Sequence, residues 1–281
     1  MQRQSVIVAA KRTPVGAFQG NLSSVSAPNL GAVVIKALVE ETGIDPSQID
    51  EVILGNVLAA GLGQAPARQA ALYSGLPQTI ETLTINKMCG SGLKAVMLAD
   101  QVIRSGDADV VIAGGMESMS NAPYLLPNAR DGQRLGHGKM IDSMIHDGLW
   151  DAYHDKHMGT CAEMLSKDRN FTREAQDEYA VSSYKRAQIA QAKGVFNSEI
   201  VPVEIPQRKG DPVLVSEDEE PGKARFDKIP TLRPAFEKEG AITAANASKL
   251  NDGAAAVLVM SEEKANELGL TAIAHIGAQA S

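Results

Sequence analysis

The stretch TLTINKMCGSGLK, Thr82 to Lys94, decides how this chain is read. It opens as a β-branched, strand-like run over 82–88. It then passes through Cys89 and Gly90-Ser91-Gly92 into an apolar-periodic helix, Leu93 to Arg104. A thiol therefore sits at the seam between a strand and a helix. A side chain there faces unpaired backbone N–H groups and the positive end of the helix dipole, and both stabilise a thiolate. The glycines let backbone approach a bound group closely, and the N–H groups of the run are candidate donors to an oxyanion. Open α/β sheets place ligands at such junctions. A free cysteine is more commonly a small buried hydrophobe. Position alone divides the two readings evenly, and the glycine-rich flank favours a nucleophile. Cys161 has no such flank, falls in an amphipathic helical stretch and is read as structural.

Outward from Cys89, strand and helix signals alternate. SVIVAA (5–10), EVILGNVL (51–58) and DVVIAGG (109–115) read as strands. Asn29 to Glu41 reads as a helix stopped at Thr42-Gly43, and Pro66 to Ser74 as a short helix with proline near its start. This β-α-β-α-β rhythm implies a mostly parallel sheet covered on both faces. Residues 119–155, rich in Asn, Asp, Gly, His and Met, read as an inserted excursion that carries function. Helices are expected over about 160–167 and 173–193, the second N-capped by Thr172. IVPVEI (200–205) is a strand candidate and 206–228 is polar and turn-rich. Residues 240–261 return to core composition, a short helix runs from Glu262 to Leu268, and TAIAHIGAQAS begins as a further strand. A last strand of this kind normally leads on into a helix and partner strands.

The chain has 281 residues, 44% of them hydrophobic and only 4% aromatic, which allows a large core built from Ala, Val, Leu and Ile. A net charge of -7 and a pI near 5.3 argue against a sequence-independent nucleic-acid binder. Local basic pockets for a phosphorylated small molecule remain compatible with that balance. The two cysteines, in no zinc-like spacing, argue against a disulfide framework and fit a reducing compartment. The N-terminal apolar run is too short for a signal peptide, and no stretch is long enough to span a bilayer. A soluble cytoplasmic protein is expected.

INKMCGSGLKAV (85–96) resembles the nucleophile segment of the thiolases. Four further stretches agree in order: VIVAAKRTPVGAFQG (6–20), AGGMESMSNAPYLL (113–126), HMGTCAE (157–163) and GAITAANASKLNDGAAA (240–256). The resemblance covers essentially the whole chain, and His157-Met158-Gly159 points to the short-chain, acetoacetyl-CoA type. It implies a layered α-β-α fold with residues 1–118 and 249–269 as the N-terminal core. Residues 119–248 would form a CoA-binding loop domain, and 270–281 the start of a C-terminal domain. It implies that Cys89 is acetylated by a thioester, in condensation of two acetyl-CoA or thiolysis of acetoacetyl-CoA. It implies CoA contacts at Leu149, His157, Met158, Phe236, Ala244, Ala247 and Ser248, with Arg225 and Lys228 in the segment that meets the phosphates. CoA and acetyl-CoA enter as substrates, with no tightly bound cofactor and no metal.

For Leu149, Phe236 and the alanines, ordinary core packing competes with that role. GNVLAAGLGQAPARQAAL (55–72) resembles the segment that crosses a dimer interface, so a homodimer or homotetramer is implied. The family's Asn-Glu-Ala-Phe, Gly-His-Pro and Cys-x-Gly-Gly motifs match nothing in this sequence. His137, His146, His154, His275 and Cys161 sit in no matching motif. The expectation is a fragment or truncated product, its C-terminal half largely missing, with little condensation activity and an exposed sheet face and edge. Two rivals are kept: a 3-ketoacyl carrier-protein synthase relative, and a non-catalytic acyl-CoA-binding subunit.

Overall fold

A computed structural model describes residues 3–280, so the expected domain ends at 1–2 and 281 lie outside the described residues. In chain order the strands are β1 (Ser5–Arg12), β2 (Gly16–Ala17), β3 (Glu51–Gly55), β4 (Glu81–Ile85), β5 (Val110–Ser118), β6 (Tyr124–Leu125), β7 (Ile141–Asp142), β8 (Trp150–Asp151), β9 (Lys156–His157), β10 (Val203–Ile205), β11 (Val213–Val215), β12 (Asn251–Ser261) and β13 (Ala274–His275). The helices are α1 (Ala27–Thr42), α2 (Pro66–Tyr73), α3 (Ser91–Ser105), α4 (Met158–Asp168), α5 (Arg173–Ala192), α6 (Glu219–Lys223) and α7 (Glu262–Glu267).

Two compact units form. The first holds residues up to Asn121, Glu199–Glu217 and the residues from Asn251 onward. Its seven-stranded sheet runs β13-β1-β12-β5-β3-β4, with β2 paired to β12. The expected mostly parallel sheet is corrected to a mixed one. β3 lies parallel to both β4 and β5, as the β-α-β rhythm requires. β12 enters antiparallel between β5 and β1, and β13 adds antiparallel to the far side of β1. Local alternation fixes the direction of consecutive strands but not of one that returns after a long excursion.

One sheet face is covered by α1 and α2 and the other in part by α3, which leaves Ala10 and Ala255 exposed, and the side chains sort by the period of two. Val52, Leu54, Val110, Ile112, Leu258 and Met260 join Leu30, Ile35 and Leu38 of α1 and Ala67, Ala70 and Ala71 of α2. Ile53, Val111, Ala113 and Val259 face Ala95, Ala99 and Ile103 of α3. Each large aliphatic buried in this way contributes roughly 1.5–3 kcal/mol. Beside α3 an open apolar groove of about 510 Å3 is lined by Leu93, Val96, Ala255 and Val257, and Leu93 is 70% exposed. α1 ends where expected, on Gly43 in the left-handed region (φ 64), whose N–H bonds to Val39 O.

The stretch expected as one insertion, 119–248, is divided. Arg12 N donates to Glu199 O and Val201 N to Arg12 O, so the chain runs beside β1. Val203, Ile205 and Val215 then enter the first core. Glu199–Glu217 therefore belongs with the first unit. The second unit, Ala122–Ser198 and Asp218–Leu250, holds the hairpins β6-β7 and β8-β9, a π-turn at Met144–Leu149, α4, α5 and α6. Thr172 caps α5 as its sequence predicts, accepting from Ala175 N. The residues 270–280, expected to open a new domain, contribute β13 to the first sheet, with Ile273 N bonded to Ile7 O.

Candidate active site

β4 stops at Ile85, so the strand expected to reach Met88 is shorter. Asn86 to Gly90 form a tight turn in which Met88 adopts the left-handed region (φ 45). That conformation costs an L-residue roughly 1–2 kcal/mol. Side chains hold the turn. Asn86 Oδ1 accepts from Met88 N at 2.9 Å, and Ser91 Oγ accepts from Lys87 N at 3.0 Å and donates to Met88 O at 2.6 Å. The result presents Cys89 to solvent immediately before α3, and both cysteines are free thiols.

Two of the N–H groups expected for an oxyanion are already committed. Gly90 N donates to Lys87 O and Ser91 N to Met88 O, each at 3.1 Å. Those of Cys89, Gly92 and Leu93 lie outside that set. The glycine signal also proves to be partly a packing signal. A Cβ at Gly55 would lie 2.4 Å from Ser91 Cβ, so glycine is what lets the start of α3 rest on the end of β3.

In the second unit the expected CoA contacts fall into two groups. His157 caps α4, its Nδ1 accepting from Gly159 N at 2.9 Å. Nε2 is thus left to carry the ring proton. The ring stacks on Phe236 at 4.9 Å and meets Trp150 edge-on at 6.4 Å. A Cβ at Gly159 would come within 2.3 Å of the Phe236 ring, so this glycine is required by the stack. Met158 is exposed, and Leu149 is half-buried at the end of the π-turn. The second group lines a cavity of about 230 Å3 with Arg225, Lys228 and Ala244, joined by Tyr184, Lys223 and Lys249. Ala247 and Ser248 are not among its lining residues. Cys161 is half-exposed within α4.

The thiolase N-terminal domain model matches residues 5–263. The chain belongs to the thiolase family. It is 59% identical over 272 residues to an acetyl-CoA acetyltransferase of Cupriavidus necator, covering 96% of this chain and 69% of that one. It is 55% identical to one of Pseudomonas aeruginosa, covering 98% of this chain and 70% of the relative. The crystal structure of the Bacillus anthracis acetyl-CoA acetyltransferase superposes with a TM-score of 0.94 at 42% identity, over 98% of this chain and 70% of that one.

Several residues that organise this thiolase-family chain escape a sequence reading. Glu117, at the end of β5, accepts from Asn56 Nδ2 at 2.7 Å, Val57 N at 2.9 Å and Leu58 N at 3.2 Å. Burial pushes its carboxyl up from the usual range, and these three hydrogen bonds oppose the shift. Glu163, fully buried in α4, accepts from Ala241 N and Ile242 N at 2.8 Å each. Asn246 Nδ2 donates to Asp177 Oδ1, and Arg173 pairs with Asp177. Tyr184, Lys223 and Lys249 are too far apart in sequence to be grouped without the fold.

Proposed function

We propose that this chain acts as an acetyl-CoA acetyltransferase, interconverting two acetyl-CoA with acetoacetyl-CoA and CoA through an acetyl group held on Cys89. The observation that carries the reading is the exposed thiol on the strained turn before α3, in a chain 59% identical to a protein of that name. The Cys89 thiolate attacks the thioester carbonyl, the carbonyl carbon bonds to Sγ, and the bond to the CoA sulfur breaks. CoA leaves as a thiolate and takes a proton from solvent. In condensation, the deprotonated α-carbon of a second acetyl-CoA attacks the acetyl group and expels the Cys89 thiolate. That deprotonation requires a placed base, which the family resemblance assigns to motifs not matched in this sequence.

CoA is a passing substrate in this account. The cations around the second unit's cavity, Arg225 and Lys228 foremost, meet its phosphates. Leu149, His157, Met158, Phe236, Ala244, Ala247 and Ser248 contact the pantetheine arm. A homodimer or homotetramer in the cytoplasm completes the proposal. The half-exposed edge strand β4, with Leu83 open, supports an assembly through this unit. Among the described residues no helix is long and apolar enough to cross a membrane. The relatives' names favour neither a carrier-protein synthase nor a non-catalytic binding subunit.

The test is rapid mixing of the purified chain with acetyl-CoA beside a Cys89→Ala variant. The expected result is a burst of free CoA of about one per chain that the variant lacks. A burst of the same size from the variant would overturn the assignment of Cys89. CoA binding without any burst from the unaltered chain would favour the binding-subunit reading.

A further inference from the structure

The turn that presents Cys89 is bracketed by two contacts, and both come from the end of β3. Before the turn, Asn56 N donates to Ile85 O, the last residue of β4, at 3.0 Å. After it, Gly55 lies directly against Ser91, the first residue of α3. The segment that makes both contacts has no regular structure after Gly55. Gly55 is held in the ladder between β4 and β5, and the irregular residues after it are tied to the end of β5 by the Glu117 carboxylate, which takes the N–H groups of Val57 and Leu58 and the side-chain amide of Asn56.

Asn56 itself is 3% exposed. Its Nδ2 is directed to Met116 O at 3.2 Å and Glu117 Oε1 at 2.7 Å. That orientation leaves Oδ1 buried and without a hydrogen-bond partner among the described residues. A buried acceptor left unpaired costs about 1–3 kcal/mol. An arrangement chosen for stability alone would not keep an amide there, nor a carboxylate whose burial opposes its charge.

We propose that Glu117 is a positioning residue for the Cys89 nucleophile, acting through the Gly55–Leu58 segment, whose first two residues brace the two ends of the Cys89 turn. The inference rests on Cys89 being the acetyl acceptor. Glu117 does not touch the reacting atoms. It fixes where the thiol and the N–H groups of Cys89, Gly92 and Leu93 sit when the thioester carbonyl arrives, and acyl transfer is sensitive to displacements of that size.

The test compares the unaltered chain with Glu117→Gln, which keeps the side chain's shape, and Asn56→Ala, which removes the amide link but leaves Glu117 its two backbone donors. The readouts are acetylation of Cys89 by acetyl-CoA, alkylation of Cys89 and Cys161 by iodoacetamide, and the circular dichroism spectrum. Acetylation of Cys89 is expected to fall about tenfold or more in Glu117→Gln, and less in Asn56→Ala. Alkylation of both cysteines should stay within about twofold, because a small alkylating agent needs the thiol but not its oxyanion donors. Unchanged acetylation in both variants overturns the inference. So does a parallel change at Cys161, which marks general loosening of the fold. If Glu117→Gln does not fold, unchanged acetylation in Asn56→Ala alone overturns it. Failure of the unaltered chain to be acetylated sinks the Cys89 assignment and this inference together, whereas normal acetylation in every variant sinks only this inference.

Discussion

At the scale of single residues, the site is a compromise between strain and restraint. Met88 occupies a conformation that L-residues avoid, and three side-chain hydrogen bonds from Asn86 and Ser91 hold it there. Gly55 supplies the space. Gly55→Ala would place a methyl 2.4 Å from Ser91 Cβ and 2.7 Å from Ser91 C, neither of which lies on a flexible side chain. The start of α3 must shift, at a cost of about 1–3 kcal/mol. The expected outcome in urea unfolding is a loss of that size, together with slower acetylation of Cys89. A change below about 0.5 kcal/mol would show that the helix start is not fixed by this contact. The cysteine and its glycine flank were readable in the sequence because both are local. The brace from Glu117 was not, since it joins residues some sixty positions apart through hydrogen bonds that no spacing pattern encodes.

At the scale of elements, α4 and α5 each spend a buried acid on the same segment. Glu163 holds the N–H groups of Ala241 and Ile242, and Asp177 holds Asn246. The motif GAITAANAS is thereby a turn anchored to two helices, with Ala244 and Ser248 exposed and Ala247 half-buried. Glu163→Ala would leave the N–H groups of Ala241 and Ile242 without their acceptor, the second of them buried. A loss of about 3 kcal/mol is expected in chemical denaturation, with weakened CoA binding by calorimetry. Glu163→Gln, which keeps one acceptor, should lose less. Equal stability of all three proteins would remove Glu163 from the account. Helix limits and caps such as Thr172 and Gly43 were legible because capping is decided within a few residues. The polarity of β12 and the return of Glu199–Glu217 to the first unit were not, because both depend on partners far along the chain.

At the scale of the whole molecule, an acidic chain brings several cations to one place, beside Glu220, which pairs with Lys249. Lys223, Arg225, Lys228 and Lys249 surround one cavity of the second unit although the net charge is -7. Cys89, the proposed nucleophile, belongs to the first unit. Five ordered motifs made the family legible, and the match to the thiolase N-terminal domain over residues 5–263 agrees with them. What they could not convey is which motif residues do chemistry and which hold the fold. Glu117 and Asn246 both lie within them and both act by bonding to other parts of the chain. The central claim, that Cys89 accepts the acetyl group, is tested most directly by acid-quenching the chain with acetyl-CoA and mapping the modified peptide by mass spectrometry. The account predicts a single thioester-linked acetyl group on Cys89, removed by added CoA. An acetyl group on Cys161 or on lysines instead, or one that free CoA does not remove, would contradict it.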